Sequence, residues 1–366
     1  MTRLIVAAGG GGDAVAAAMV DTALNRDAEP AVVLTYAWDR LLIDPVPGPR
    51  GPANFTGLRA ITPTVYAVPG VARPVHPAGS TLPRLAAELP HSFALIDPHA
   101  GVRGITHQLQ ELAEHLALDS IDLLDVGGDI LAKGDEPTLR SPLGDALTLA
   151  ACCQLSVPVR LLIAGPGLDG ELPADQLRER LGRQLLSLTA EHTEPVSSIL
   201  EWHPSEATAM LAAAARGTRG LCEVRDSGLS VPLTDEGPTL HEADLDDALH
   251  RNELAQAVLS TTSLEEAEEH SREICGYSEI DYERNKAAWL DSRTTKPIES
   301  TPALLAQLDQ FETEASARGA THTTFRRISE ALGYVGSQRL ELRELLLQQR
   351  PEQYDAPLWR ITANPA

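Results

Sequence analysis

Aromatic residues are scarce in this chain, with Phe, Trp and Tyr together making 4% of 366 residues. Stacking platforms for the bases of single-stranded nucleic acid are disfavoured by that scarcity. Basic charge is short too: 30 Lys and Arg stand against 52 Asp and Glu, a formal net charge of −22. Such a surface repels nucleic acid and anionic membrane, so neither is expected as a partner. The four cysteines, an adjacent Cys152 and Cys153 with Cys222 and Cys275 standing alone, match neither a disulfide framework nor a CxxC zinc pattern. Reduced structural thiols are expected. No stretch of 18 apolar residues and no charged-then-apolar leader stands out, which leads to the expectation of a soluble cytoplasmic protein. The chain also lacks a G-x-S-x-G elbow, an H-E-x-x-H helix and a G-x-x-x-x-G-K-S/T loop, so serine hydrolase, zincin and Walker-type ATPase readings lose their support.

What is present begins at the N-terminus. The run Leu4-Ile5-Val6-Ala7-Ala8 ends in Gly9-Gly10-Gly11-Gly12, and Asp13 opens an alanine-rich run with helical spacing. The pattern predicts a strand, a bare-backbone turn and a helix whose unpaired N–H groups point at whatever sits on the turn. Gly9-x-Gly11-x-x-Ala14 also fits a dinucleotide-binding fingerprint, with Asp39 past the second apolar run placed to meet a ribose. Asp13 argues against the simplest form of that reading, because a carboxylate there repels a pyrophosphate unless a cation or hydroxyl lies between them. Asp13 can equally be a helix cap.

Beyond the opening, apolar runs alternate with helical ones. Strands are predicted at 31–36, 64–68, 92–96, 121–126 and 159–164, and helices at 82–89, 105–118, 141–155, 175–190 and 205–216. The four prolines of 42–52 exclude helix and ladder pairing, leaving a loop beside the glycine turn. Alternation of this kind requires crossovers, hence a doubly wound, mostly parallel Rossmann-like α/β sheet covered on both faces. From Gly220 the texture changes to an antiparallel edge hairpin near 220–234, turning at Asp226-Ser227-Gly228. Helices follow at 244–259 and 264–275, the second capped by Ser263 with Glu266 three residues on. The expected organisation is an α/β domain over 1–290 and a helical C-terminal arm or subdomain over 291–366, broken near Pro297 and Gly319.

Four predicted strand ends carry glycine with an acid or histidine: Gly9 to Asp13, Asp97 with His99, Asp125 to Asp129 around Gly127 and Gly128, and Gly165 to Asp169. In a parallel sheet these ends share one edge, so residues distant in sequence converge there. Paired carboxylates at such a point bind a divalent cation or split their pKa values for acid/base work. Asp13, Asp125 and Asp129 are the candidate metal ligands. His99, Asp97 and Asp129 are the candidate catalytic groups, His99 because an imidazole titrates nearest working pH. Gly9, Gly10, Gly11, Gly12, Asp13, Asp39, Arg103, Gly127 and Gly128 are the candidate ligand-binding residues. His203 is a weaker candidate, and Arg50 and Arg140 join Arg103 as cations suited to a phosphate or carboxylate. Helix capping is the alternative for each aspartate, Asp145 included, and surface ion pairing for each arginine.

Several segments together resemble one family: the Gly9 to Asp13 turn, Asp44-Pro45-Val46-Pro47-Gly48-Pro49, Asp125-Val126-Gly127-Gly128-Asp129 with Ser141-Pro142-Leu143-Gly144-Asp145, and Thr262 to Glu268. It is the domain-of-unknown-function family numbered 1152, and the resemblance spans residue 3 to about 290. It implies common ancestry and brings no established activity or site residues.

These observations lead to an enzyme that binds a nucleotide or another phosphorylated or carboxylated small metabolite at the strand ends, with Mg²⁺ assisting group transfer or hydrolysis. Oxygen-rich surroundings favour hard cations over zinc. Two alternatives stay open: an NAD(P)-dependent oxidoreductase using Gly9, Gly11, Ala14 and Asp39, and a non-catalytic metabolite-binding or assembly protein. A homo-oligomer fits either.

Overall fold

The computed structural model describes residues 2–26, 28–225, 228–292 and 299–362. The molecule is α/β, built on a mixed sheet of nine strands that is parallel in its core. Its strands are β1 (Leu4–Ala7), β2 (Val32–Tyr36), β3 (Arg59–Ala60), β4 (Tyr66–Ala67), β5 (Ser92–Ile96), β6 (Ile121–Val126), β7 (Val159–Ala164), β8 (Gln184–Ser187) and, after the hairpin β9 (Gly220–Val224) and β10 (Leu229–Leu233), β11 (Thr239–Ala243). In space the order is β8-β11-β7-β6-β1-β2-β5-β4-β3. The five strands from β7 to β5 run parallel, and antiparallel strands flank them on both sides. From β1 the chain steps outward through β2 to β5, then returns to place β6 on the other side of β1. The crossover changes direction between β1 and β6.

Parallel strands buried on both faces read as nearly continuous apolar runs, as these do. Alternate residues divide between two cores. Leu4 and Val6 pack with Val102, Ile105 and Leu109 of the helix α2 (Gly101–Leu116), and with Leu143 and Leu147 of α3 (Pro142–Cys152). Ile5 and Ala7 face the other way, onto the alanines of α1 (Asp13–Asn25) and onto Met210 and Leu211 of α4 (Glu206–Ala215).

Two expectations change. The predicted helix over 175–190 is a short helix, Ala174–Leu177, followed by β8. Backbone contact explains the switch: a Cβ on Gly182 would lie 2.2 Å from the Glu242 carbonyl, because this segment pairs against β11. The predicted helix over 244–259 is two helices, Leu245–Arg251 and Glu253–Val258, divided where the Asn252 side chain accepts from the Ala255 N–H at 2.9 Å.

The hairpin β9–β10 forms in the predicted place, and its turn residues Asp226 and Ser227 lie outside the described residues, as does Pro297. It joins a second sheet rather than the edge of the first. With β12 (His322–Thr323), β13 (Tyr354–Asp355) and β14 (Leu358–Arg360) it makes five strands in the order β10-β9-β12-β14-β13. The C-terminal region is helical in α5 (Glu279–Asp291), α6 (Thr301–Ala317), α7 (Phe325–Leu332) and α8 (Gln338–Gln349), with Gly319 in a left-handed turn (φ +88°) after α6. Its own core includes Leu308, Phe311 and Trp359. Fully buried Glu223 on β9 fastens it, accepting from Arg318 at 2.6 and 3.1 Å and from Arg327 at 3.4 Å. Among the described residues no helix is long and apolar enough to cross a membrane.

Candidate functional site

A cavity of about 110 Å³ opens at the carboxyl ends of β1 and β6, floored by the glycine turn. Gly10 and Gly11 hold positive φ of +80° and +59°, a conformation glycine adopts without strain, and this folds the turn under the start of α1. Gly12 lies against the start of α4, where a Cβ would come within 1.9 Å of the Ser205 Oγ and 2.4 Å of its Cβ. The Thr208 hydroxyl donates to the Gly12 carbonyl at 2.9 Å and locks the contact. Gly12→Ala is therefore expected to push α4 off the turn, destabilising the fold by about 1–3 kcal/mol. A fall in the urea midpoint checks this, and an unchanged midpoint rules it out.

Three carboxylates meet over this floor. Asp13 stands in the first turn of α1, Asp125 near the end of β6 and Asp145 in the first turn of α3, and one oxygen from each lies within 4.8 Å of the others. All three are buried. The fold delivers Asp145 by close backbone packing: Gly144 passes Gly9 so tightly that a Cβ would sit 3.3 Å from the Gly9 carbonyl. The Tyr36 hydroxyl bonds Thr148 at 2.8 Å, and Thr148 donates to the Ala8 carbonyl at 2.9 Å, tying β2, β1 and α3 together.

Few donors compensate this charge. Asp13 accepts from the Gly9 N–H at 3.0 Å, Asp125 accepts a long bond from the Ile130 N–H at 3.4 Å, and the Asp145 Oδ1 is buried with no hydrogen-bond partner among the described residues. Burial disfavours the charged forms and raises Asp13 to about 7. Burial and the neighbouring Asp13 raise Asp125 to about 8. Asp129 and Asp145 are also held well above the usual carboxylate range, by burial first and by neighbouring carboxylates second. A cation among them would favour the ionised forms and reverse these shifts.

A second rank of acids surrounds the first. Asp169, past β7, packs against Gly127, where a Cβ would lie 2.3 Å from the Asp169 Cγ, and its Oδ2 has no partner among the described residues. Glu171 is committed, accepting from the Arg140 and Ser141 N–H groups at 2.6 and 3.0 Å and from Arg225 at 3.0 Å. From α5, Glu283 accepts from the Gly48 N–H at 2.7 Å and from the Trp38 indole at 3.2 Å. Glu279 leaves its buried Oε2 without a partner among the described residues.

The predicted site residues separate into groups. Gly9 to Gly12, Asp13, Asp39, Asp125 and Asp129 line the cavity. Gly127 and Gly128, at φ +116° and +100°, shape the turn between Asp125 and Asp129 from behind. Asp39 lines the wall with both oxygens engaged, by the Thr81 N–H at 3.1 Å and the Thr81 hydroxyl at 2.7 Å. His99, Asp97 and Arg103 do not line the cavity. The His99 Nδ1 bonds Asp97 at 2.6 Å on a partly exposed surface, and Arg103 is exposed. They follow β5, two strands from β1, a displacement of roughly 10 Å at the usual strand spacing. Arg50 is buried inside the proline loop, 3.0 Å from Asp44 and bonded to the Gly48 carbonyl at 2.6 Å.

The cavity also takes residues with little or no signal in the sequence. Asp145 reads there as a dipole-compatible acid in a first turn. Glu279 and Glu283 stand four apart on one helical face, which marks a shared side but not its destination. Arg40 lines the cavity as well, as does His203, the weaker candidate of the sequence.

A family model described as "Protein of unknown function (DUF1152)" matches residues 4–287. The chain belongs to that family. The match takes in the glycine turn, the three clustered aspartates and the first nine residues of α5, and stops before α6 to α8, so every cavity residue named above falls within the family's span. No curated protein and no solved structure matches the chain.

Proposed function

We propose that this family member is a divalent-cation-dependent enzyme, on a doubly wound Rossmann-like scaffold, that binds a nucleotide or another phosphorylated or carboxylated small metabolite for group transfer or hydrolysis. The observation that carries this is the meeting of Asp13, Asp125 and Asp145 oxygens within 4.8 Å, buried and short of donors. Such a set is costly to ionise without a cation and suited to one when ionised. Its donors are all oxygen, which favours a hard ion such as Mg²⁺. The location supports the reading, because doubly wound sheets take ligands where the strand order changes direction, here between β1 and β6.

A bound Mg²⁺ would supply positive charge to hold and polarise a substrate oxygen. Asp13, Asp125 and Asp145 would give up their protons to hold it. Asp129, buried beside them with a raised pKa, would hold or accept a proton in the cavity. The unpaired amides of the α1 N-terminus would face the substrate's anionic group. This reading assigns no chemistry to His99 or Asp97. The nicotinamide alternative is less well supported, since Asp39 is engaged by Thr81 and Asp13 occupies the Gly9 N–H that a pyrophosphate would need. The reading puts the protein in the cytoplasm, where its four free cysteines stay reduced.

The test is an elemental inventory of natively purified protein together with thermal unfolding in EDTA, Mg²⁺, Mn²⁺ or NAD. Divalent cations are expected to stabilise by about 2.7 kcal/mol at a hundredfold excess over Kd, and NAD in EDTA to do nothing. Stabilisation by NAD without metal would sink the cation reading. Loss of cellular function on truncation of the C-terminal region, with function intact in Asp129→Asn, would favour a non-catalytic assembly role.

A further inference from the structure

We infer that His203 directs its Nε2–H at an oxyanion of the substrate, a phosphoryl or carboxylate oxygen, and so forms the anion subsite of the acidic cavity. The inference builds on the cation-site reading for the rest of the ligand and names the group that meets its negative charge.

His203 lines the same cavity as the aspartates, three residues before α4. Its Nδ1 lies 3.3 Å from the Ser205 N–H and can only accept there, so the neutral ring carries its proton on Nε2. That Nε2 is buried and has no hydrogen-bond partner among the described residues. A buried donor left unpartnered is costly, and a ligand oxygen is what such a donor recognises. The edge contact with Trp202, ring centres 5.4 Å apart, accounts for where the ring sits but engages neither nitrogen.

Two neighbouring features agree. Burial pushes the imidazole down to about 3, so at neutral pH His203 is a neutral donor that adds no charge to the cation site. The α4 N-terminus, ten residues of helix capped by Ser205, brings first-turn residues Glu206 and Ala207 to the same wall, and helix starts carry unpaired amides. Two of the other cations of the cavity are committed, and the third sits among the acids. Arg225 is bonded to the Asp169 carbonyl and to Glu171, Arg326 pairs with Glu206 at 3.2 Å, and Arg40 is exposed near Asp13, Glu279 and Glu283.

The test titrates the full-length protein with inorganic phosphate and with oxalate, each with and without saturating Mn²⁺, while Mn²⁺ binding is followed separately by EPR. His203→Phe keeps a ring against Trp202 and removes the donor. It is expected to weaken binding of one or both anions by about tenfold or more at unchanged Mn²⁺ affinity. His203→Gln, whose amide nitrogen reaches the Nε2 position, is expected to stay within about threefold of wild type. The anion that responds identifies the substrate group. In ¹⁵N-histidine spectra of the wild type, the Nε2-protonated neutral tautomer is expected, with Nε2 shifting on anion addition. Unchanged anion affinity in His203→Phe, absence of anion binding by the wild type, or an Nε2 that does not respond overturns the inference. If Mn²⁺ fails to bind while anion binding still depends on His203, the cation reading fails and this one stands.

Discussion

Asp145→Asn is expected to raise the thermal midpoint of the metal-free protein and to remove its response to Mg²⁺. The mutation deletes one of three mutually repelling acids whose Oδ1 has no partner among the described residues, and it offers the cluster an amide donor instead. Relief of this kind is worth about 0.5–2 kcal/mol, a few degrees in a protein of this size. The same change removes a direct ligand. Loss of a supporting group alone costs 10- to 100-fold in metal affinity, so a ligand should cost on the order of 100-fold or more. Calorimetric unfolding with and without Mg²⁺ gives both quantities from one preparation. The opposite signs make the result diagnostic, because a structural aspartate that merely capped α3 would destabilise when replaced and leave any cation response untouched. A variant that keeps the wild-type Mg²⁺ stabilisation would remove Asp145 from the site.

The second large effect is in pH. Asp13 and Asp125 are raised in the fold from 3.8 to about 7 and about 8. A group raised on folding contributes stability that is full below its unfolded pKa and is lost as pH climbs through its folded one. From about pH 4 up to about 7 for Asp13 and about 8 for Asp125, the native state thus holds protons that the unfolded chain has released, and stability falls by about 1.4 kcal/mol per pH unit for each group within its window. Asp21 acts the other way: the buried His91 at 3.1 Å, the Ala31 N–H at 2.9 Å and Arg3 hold it low, against its burial. Its contribution is present above the unfolded pKa and disappears as pH falls through the folded one. The metal-free protein should therefore be most stable on the acidic side of neutrality and weaken steadily toward pH 8. With saturating Mg²⁺ the slope should flatten or reverse, since the cation takes the places of the protons and its affinity rises with pH. Urea unfolding across pH 4.5–8.5, with EDTA or Mg²⁺, separates the curves. Parallel curves would mean that the buried acids do not hold the ion.

The fold was largely legible because its central strands are buried on both faces and so are written as apolar runs between glycine turns. β1, β2, β5, β6 and β7 each carry that signature, and a parallel sheet places their carboxyl ends on one edge without further information. Edge and antiparallel elements carried less. β8 is four residues, half-exposed, in a segment that reads equally well as helix, and pairing with β11 decided it. β12, β13 and β14 are two or three residues long, too short for any period to show, so the C-terminal region read as a purely helical arm although its strands complete a sheet with the hairpin.

The site divides along the same line. The chain's order alone determined that Gly9 to Gly12, Asp13, Asp125 and Asp129 share a rim, since each lies at or just past the carboxyl end of a central strand and strand direction leaves no other outcome. Which acids share oxygens with Asp13 was a matter of distance in three dimensions. Asp145 entered because Gly144 passes within contact of Gly9, whereas His99 was left outside because β5 lies two strands away and Asp97 holds its ring toward solvent. Glu279 reached the cavity on a helix, and His203 on the loop leading into one, both docked from distant sequence, and local pattern encodes a helix's face without naming the surface it will cover.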